Sequence, residues 1–531
     1  MNIDFKNFFN PLVNSLKFTK QEVFLFCVVT FISIIVRGPA FFALGYQTDD
    51  YAIAGTKSWL SWNEINFLSR DGRHVAQVAT IFADRLGGGG FGAVGLYPFL
   101  LNVAMILFSI GVLRLWKISR FSFTSLAVAL TIVFFPYNSE LFTFKYASLV
   151  YLISWFLAAF AFILESSKFS SRLIIGVLLV LSFWTFQVTA AWIAVVLIFA
   201  WMIRILPDTT EVGEDSKNLI KQDRVNLTNL TFLSAGSLCF YILLIKVLKW
   251  LFPFAHGDRT KLLEAAQISS RISEFIEWFG YLIRWDQLIP QMTRVALGTL
   301  LAFAMLGVVV TICRTRENKK RAYLIASFLL LLLLGWFASI ALVLVVGTWF
   351  PAPRSTCAMG IWWAGVAFLA LHFTKLGFPR FLSTLLVFFF LASFLLVSNR
   401  ALFDQQRLNL RDQMLANRIL ARMEVQPGFD AVKRLAIIGK SNYPVRFATQ
   451  KFDLNASAFD TEWSNVAILT EICGRPFQAA TGEEMVRARK IAETIPEWPA
   501  PGSIMVDNDI MIIKISNIDI PSKLLYKNLK K

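Results

Sequence analysis

The chain has 531 residues, 56% hydrophobic and only 16% charged, with a mean hydropathy of +0.58. Soluble domains carry about 45–50% apolar and about 25% charged residues, so this composition, with its apolar residues in long blocks, excludes an ordinary soluble protein and indicates a polytopic membrane protein. The formal charge of +17 does not call for nucleic acid, because the bases lie in short loops between apolar runs, where positive-inside topology accounts for them.

Residues 1–21 carry Lys6, Lys17 and Lys20 and are expected in the cytoplasm. A first span is predicted at about 22–43, with Arg37-Gly38-Pro39 in its outer part, where the helix is expected to kink or end. A long loop follows over residues 45–90. It holds Asp49-Asp50, Trp59 and Trp62 for the membrane interface, and Arg70-Asp71-Gly72-Arg73. His74 to Leu86 reads as a helix that Gly87 to Gly90 breaks. Further spans are predicted at about 92–113, 121–136, 147–165, 173–187, 188–206, 229–252, 291–313, 322–348, 357–373 and 381–398, for about eleven in all. Gln187 falls at a tight turn between two of them.

Alternate loops carry the bases: Arg114, Lys117 and Arg120; Lys168 and Arg172; Arg204, Lys217, Lys221 and Arg224; Arg314 to Arg321; Lys375 and Arg380. All fall on one side if the N-terminus is cytoplasmic. The other side then receives loops 45–90, 137–146, 253–290 and 349–356 and everything from 399 to 531. The 253–290 loop has the apolar spacing of an amphipathic helix lying along the outer leaflet. From 399 the composition becomes that of a small α+β domain. It has a charged helix over 403–424, a short strand from Leu435 to Gly439, a capping-box helix start at Thr481-Gly-Glu-Glu484, and a hairpin from Ile504 to Ile515 interrupted by Asp507-Asn508-Asp509. The five cysteines form neither a disulfide framework nor a metal spacing.

Asp49 and Asp50 stand out, because carboxylates at a membrane surface are costly unless solvated, paired or used. Sugar transfer from a lipid phosphate needs a base for the acceptor hydroxyl and groups that stabilise the departing phosphate. One aspartate could instead cap the helix beginning at Tyr51, and the pair could divide the work, one capping and one catalytic. No further acidic residues cluster with them, so no metal is indicated. Arg70 and Arg73, around Asp71 and Gly72, suit a phosphate, or form an interfacial ion-pair cluster. Arg37 either snorkels or faces the same cavity. Glu140 and Lys145, beside Asn138, either meet sugar hydroxyls or belong to a solvated turn. Arg354, in the rigid Pro351-Ala352-Pro353-Arg354 turn, is a phosphate contact or an interfacial anchor.

The order of Asp49-Asp50, Gly72-Arg73, Glu140, Gln187, Pro353-Arg354 and a helix rich in Asn and Gln from Gln405 to Asn417 resembles the serotype-converting O-antigen glucosyltransferases of bacteria and their phages. The resemblance implies a GT-C-like helical bundle in the bacterial inner membrane. It implies transfer of glucose from undecaprenyl-phosphate glucose to O-antigen on the periplasmic side, with companion proteins that make and flip the donor. Carried over, Asp49 and Asp50 become the acidic centre and Arg73 and Arg354 phosphate contacts. One departure is Tyr51-Ala52-Ile53-Ala54, where more polar residues are expected after the pair. The expectation is thus a polyprenyl-phosphate-sugar-dependent hexosyltransferase acting by single displacement with inversion, without a cofactor. The competing readings are a transporter or flippase for a lipid-linked sugar, and an O-antigen ligase or polymerase using a diphosphate-linked donor.

Overall fold

The computed structural model describes residues 16–43, 46–55, 72–88, 95–118, 120–164, 169–206, 214–251, 261–314, 317–374, 377–441, 449 and 451–517. Apolar runs become helices because a helix bonds every backbone group within its own segment. The first, α1 (Lys20–Phe42), opens at a capping box between Thr19 and Glu22. It runs through Pro39 instead of ending there. The proline sits in the last turn, where its missing N–H removes one bond, and the Ala43 N–H still reaches the Pro39 carbonyl at 3.2 Å. Then come α2 (Thr48–Gly55), α3 (His74–Ala83), α4 (Leu96–Leu115), α5 (Phe123–Phe134), α6 (Ser139–Thr143), α7 (Ser148–Ile163), α8 (Phe169–Thr185) and α9 (Thr189–Ile205). They are followed by α10 (Glu214–Leu251), α11 (Ile268–Arg284), α12 (Gln291–Cys313), α13 (Asn318–Val345), α14 (Pro353–Thr356), α15 (Met359–Phe373) and α16 (Gly377–Glu424).

Among the described residues six helices are long and apolar enough to cross a membrane, or up to seven if α5 and the bent segment after it count as one span. The expected eleven full-length spans are therefore not reached by length. The apolar helices α7, α9 and α15 are shorter and buried over most of their residues, so they are surrounded by other helices more than by lipid. Ion pairs gather several basic segments at one end of the bundle. Arg114 meets Glu22 at 2.6 Å, and Lys117 and Arg204 both meet Asp223 at 2.8 Å. α11 exposes Ile268, Ile272, Ile276 and Ile283 along one face, while Arg271 is buried and donates to the carbonyls of Val343, Val346 and Gly347 at the end of α13.

No break separates the bundle from the C-terminal region. α16 runs for 48 residues straight through position 399, where the composition changes. Beyond it, β1 (Arg434–Ile438), α17 (Glu462–Cys473), β2 (Gln478–Ala479), α18 (Glu483–Thr494), β3 (Ile504–Asp507) and β4 (Ile510–Lys514) build a mixed sheet of order β2-β1-β4-β3. β1 is parallel to β2 and β4, and β3–β4 is the expected hairpin, turning at Asn508 with φ +56°. Strand alternation supplies two cores. Leu435, Ile437, Met511 and Ile513 pack on the end of α16 and on α17, whereas Ala436, Ile510 and Ile512 pack on α18.

Candidate active site

The site begins where α5 stops. Pro136 cannot continue a helix, and the chain bends by 42° there. The carbonyls left open at the end of α5 are taken by side chains: Asn138 Nδ2 donates to Ile132 at 2.8 Å, the Ser398 hydroxyl to Phe134 at 3.2 Å, and Arg37 to Val133. Gly360 lets α15 approach this break, since a Cβ there would lie 2.6 Å from the Phe135 Cβ. Residues 131–146 are buried throughout, so this stretch is not a solvated turn.

Glu140, on α6, is fully buried. One of its oxygens accepts the Arg354 backbone N–H at 2.6 Å and the other accepts the Arg354 guanidinium. Pro353 starts α14, so this N–H belongs to the set a helix leaves unbonded at its first turn. The guanidinium also donates to Asp453 at 2.5 Å and lies over the rings of Phe144 and Phe350. Asp453 comes from the tight turn Lys451–Leu454, far along the chain. α16 holds that turn. Asp404 accepts the Thr449 N–H at 2.8 Å, Asn455 donates to the Ala401 carbonyl at 3.2 Å, and Asp412 accepts the Ser457 hydroxyl at 2.7 Å. Lys451, two residues before Asp453, enters a closed neighbouring cluster. Its ammonium donates to the Tyr137 hydroxyl at 2.8 Å and to Asp286 at 3.1 Å, and Tyr137 in turn donates to Asp286. Burial pushes the Lys451 ammonium below its ordinary range, and the Asp286 charge opposes this.

The adjacent aspartates have different surroundings. Asp50 is buried and accepts three backbone N–H groups, from Gln47 at 3.0 Å and from Lys145 and Tyr146 at 2.9 Å each. The first closes the start of α2, which begins at Thr48; the other two fasten the helix to the segment after α6. Burial pushes the Asp50 carboxyl up to about 7, against these three donors. Lys145 is held down to about 8 by burial, and its ammonium donates to the Ala43 carbonyl. Asp49 is half-buried and within electrostatic reach of Arg354 and of Tyr151 on α7. Tyr51 points the other way, into the C-terminal core with Leu415, Ile419 and Phe459, which explains an apolar residue directly after the pair. The Asn- and Gln-rich part of α16 serves the same junction: Gln405 donates to the Tyr46 carbonyl at 3.0 Å.

Arg73 donates to Gln187 at 3.2 Å and lies over the Phe186 ring. Gly72 takes φ +75°, and a Cβ there would touch Gln187 and Tyr241 at 3.4 Å. The Gly-Arg element is thus docked on the α8–α9 turn. Tyr151 lies within reach of Arg354, Arg73, Glu140 and Asp49 together. Arg37 is elsewhere: it is buried, bonded to Asn102 at 2.8 Å and to the α5 terminus, with its guanidinium 3.8 Å from the Phe142 centroid, so it does not snorkel. Arg70 and Asp71 lie outside the described residues. Asp453, Lys451, Asp286, Tyr137 and Tyr151 carry no local sequence signal. Lys451-Phe452-Asp453 reads as an ordinary polar stretch, and only the fold brings it to Arg354.

A family model of the glucosyl transferase GtrII matches residues 78–364, more than half of the chain. The chain belongs to this family. The resemblance to serotype-converting O-antigen glucosyltransferases and the family match agree. The matched stretch of this glucosyltransferase holds Glu140, Gln187 and Arg354; Asp49, Asp50 and Asp453 fall outside it. No curated protein matches the chain, and no solved structure does.

Proposed function

We propose that this glucosyltransferase moves glucose from a polyprenyl-phosphate donor to lipopolysaccharide O-antigen at the periplasmic face of the bacterial inner membrane. The observation that carries the reading is the convergence of Asp49, Arg73, Glu140 and Arg354, from four separate parts of the chain, on one place beside Tyr151. Asp49 is the base. It takes the proton of the acceptor hydroxyl as that oxygen attacks the anomeric carbon. The bond from that carbon to the phosphate oxygen breaks, and polyprenyl phosphate leaves with the electron pair. Arg73, bonded to the neutral Gln187, meets the phosphate. Asp50 is the capping member of the pair and keeps α2 on residues 145–146. Glu140 and Asp453 aim Arg354. The C-terminal region from 399 to 531 helps hold the polysaccharide, and companion proteins supply the donor on the correct face.

The test is transfer in proteoliposomes with polyprenyl-phosphate glucose and purified O-antigen. Wild type is expected to transfer glucose, and Asp49→Asn to lose about 10²–10⁴ in kcat while remaining folded. Wild type that moves the lipid donor across the bilayer without transferring sugar would reject the reading in favour of transport.

A further inference from the structure

His74 has no role in the reaction as described so far. It is the first residue of α3, directly after Arg73, which stands at the N-cap without a side-chain bond to the helix. An arginine side chain offers no acceptor there, so the start of α3 draws its anchor from another element. Trp184, in the last turn of α8, supplies it. The indole N–H donates to His74 Nδ1 at 3.0 Å, with the two ring centroids 5.9 Å apart. The indole nitrogen can only donate, so Nδ1 accepts and the imidazole is neutral, with its proton on Nε2. Burial favours the same state, holding His74 below its ordinary range against its bond to the Gly72 backbone. A neutral ring puts no second charge beside Arg73. Three consecutive residues thus rest on the end of α8: Gly72 against Gln187, Arg73 on Gln187 and the Phe186 ring, and His74 on Trp184.

We infer that His74 is a positioning residue for the donor phosphate: by accepting the Trp184 indole N–H it holds the Gly72-Arg73 corner on the end of α8 and so sets where the Arg73 guanidinium points. The inference rests on the proposed phosphate role of Arg73. An arginine side chain is long and rotamer-rich, so aiming it takes a hold at the tip and another at the root. Gln187 and Phe186 hold the tip. The bond between His74 and Trp184 holds the root, one residue along the backbone from Arg73.

The experiment is steady-state transfer by the full-length protein in proteoliposomes, varying polyprenyl-phosphate glucose and O-antigen separately. His74→Phe keeps an aromatic ring against Trp184 and removes the acceptor. It is expected to raise the donor KM about tenfold while the acceptor KM and the kcat at saturating donor stay near wild type. His74→Asn, which sets an amide oxygen near the place of Nδ1, should recover most of the donor KM. Trp184→Phe reads the same bond from its other side, including where His74→Phe does not fold, and combining the two should add little to either. In an Arg73→Ala background, which itself raises the donor KM, His74→Phe should have no further effect. A lower thermal midpoint with both KM values unchanged would assign the bond to folding alone and overturn the inference. So would a full His74→Phe effect in the Arg73→Ala background. An unchanged donor KM in Arg73→Ala would remove the inference together with the phosphate role of Arg73 and leave glucose transfer standing. Failure of wild type to transfer glucose would overturn both.

Discussion

The turn at 451–454 sends two charged side chains into two different clusters. Asp453 joins Arg354 and Glu140, with Asp49, Arg73 and Tyr151 within electrostatic reach, and the Arg354 and Asp453 side chains keep 11% and 14% exposure. Lys451 joins Asp286 and Tyr137, where the ion pair is 2% and 0% exposed and each member is satisfied by the others. A closed pair of that kind can only hold parts together. It contributes little net stability, yet removing one member strands the other as an uncompensated charge. An open cluster can also meet a ligand. On the proposed reading, one turn therefore both docks the C-terminal region and completes the site in the helical bundle.

Substitutions should separate these two functions. The largest effect is expected for Arg354→Ala, which strands Glu140 and Asp453 together. It should cost about 3–5 kcal/mol in unfolding free energy and abolish transfer. Arg354→Lys should restore part of the stability but little activity, because a lysine lacks the fork that serves two carboxylates and a ring stack at once. Asp49→Asn should come next, with a loss in kcat far larger than any shift in the thermal midpoint. Lys451→Met should show the opposite pattern. A stability loss of about 3 kcal/mol is expected, with near-normal kcat in the molecules that remain folded, and adding Asp286→Asn should recover much of the loss. A large kcat defect in folded Lys451→Met would erase the distinction between the clusters.

A smaller effect concerns pH. The Asp50 carboxyl rises from 3.8 to about 7 on folding, so the folded protein holds this proton more tightly than the unfolded chain. The contribution is fully present below about pH 4 and is lost as the pH climbs to about 7. This one group should lower stability by at most about 1.4 kcal/mol per pH unit across that window, and Asp50→Asn should flatten that part of the curve. The smallest effect is expected for Gln187→Ala, about 1 kcal/mol in donor binding from the lost Arg73 contact, with no change in the Lys451 cluster.

Local signals in the chain were enough for a good deal of this structure. Hydropathy marked the apolar helices, Pro136 ended α5, Gln187 fell at the α8–α9 turn, and the Asp507 to Asp509 break made a hairpin. Each depends on residues next to one another in sequence, where backbone sterics and burial period act directly. The helix through Pro39 and the shorter spans α7, α9 and α15 were less legible, because neighbouring helices decide how much of a run must face lipid.

The candidate site divides in the same way. The residue types and their order were visible in the chain: an aspartate pair, a Gly-Arg, an outer-loop glutamate and a Pro-Arg. Which aspartate is held by backbone N–H groups, that Arg37 belongs to the α5 terminus, and that Asp453 and Tyr151 stand beside Arg354 were decided only in three dimensions. The environment of a charge is set by what lies within a few ångströms of it. Asp50 meets its partners 95 and 96 residues along, Arg354 meets Asp453 99 residues along, and Arg354 meets Glu140 across 214. No local pattern encodes contacts of that range; helix packing and the long α16 bring them together.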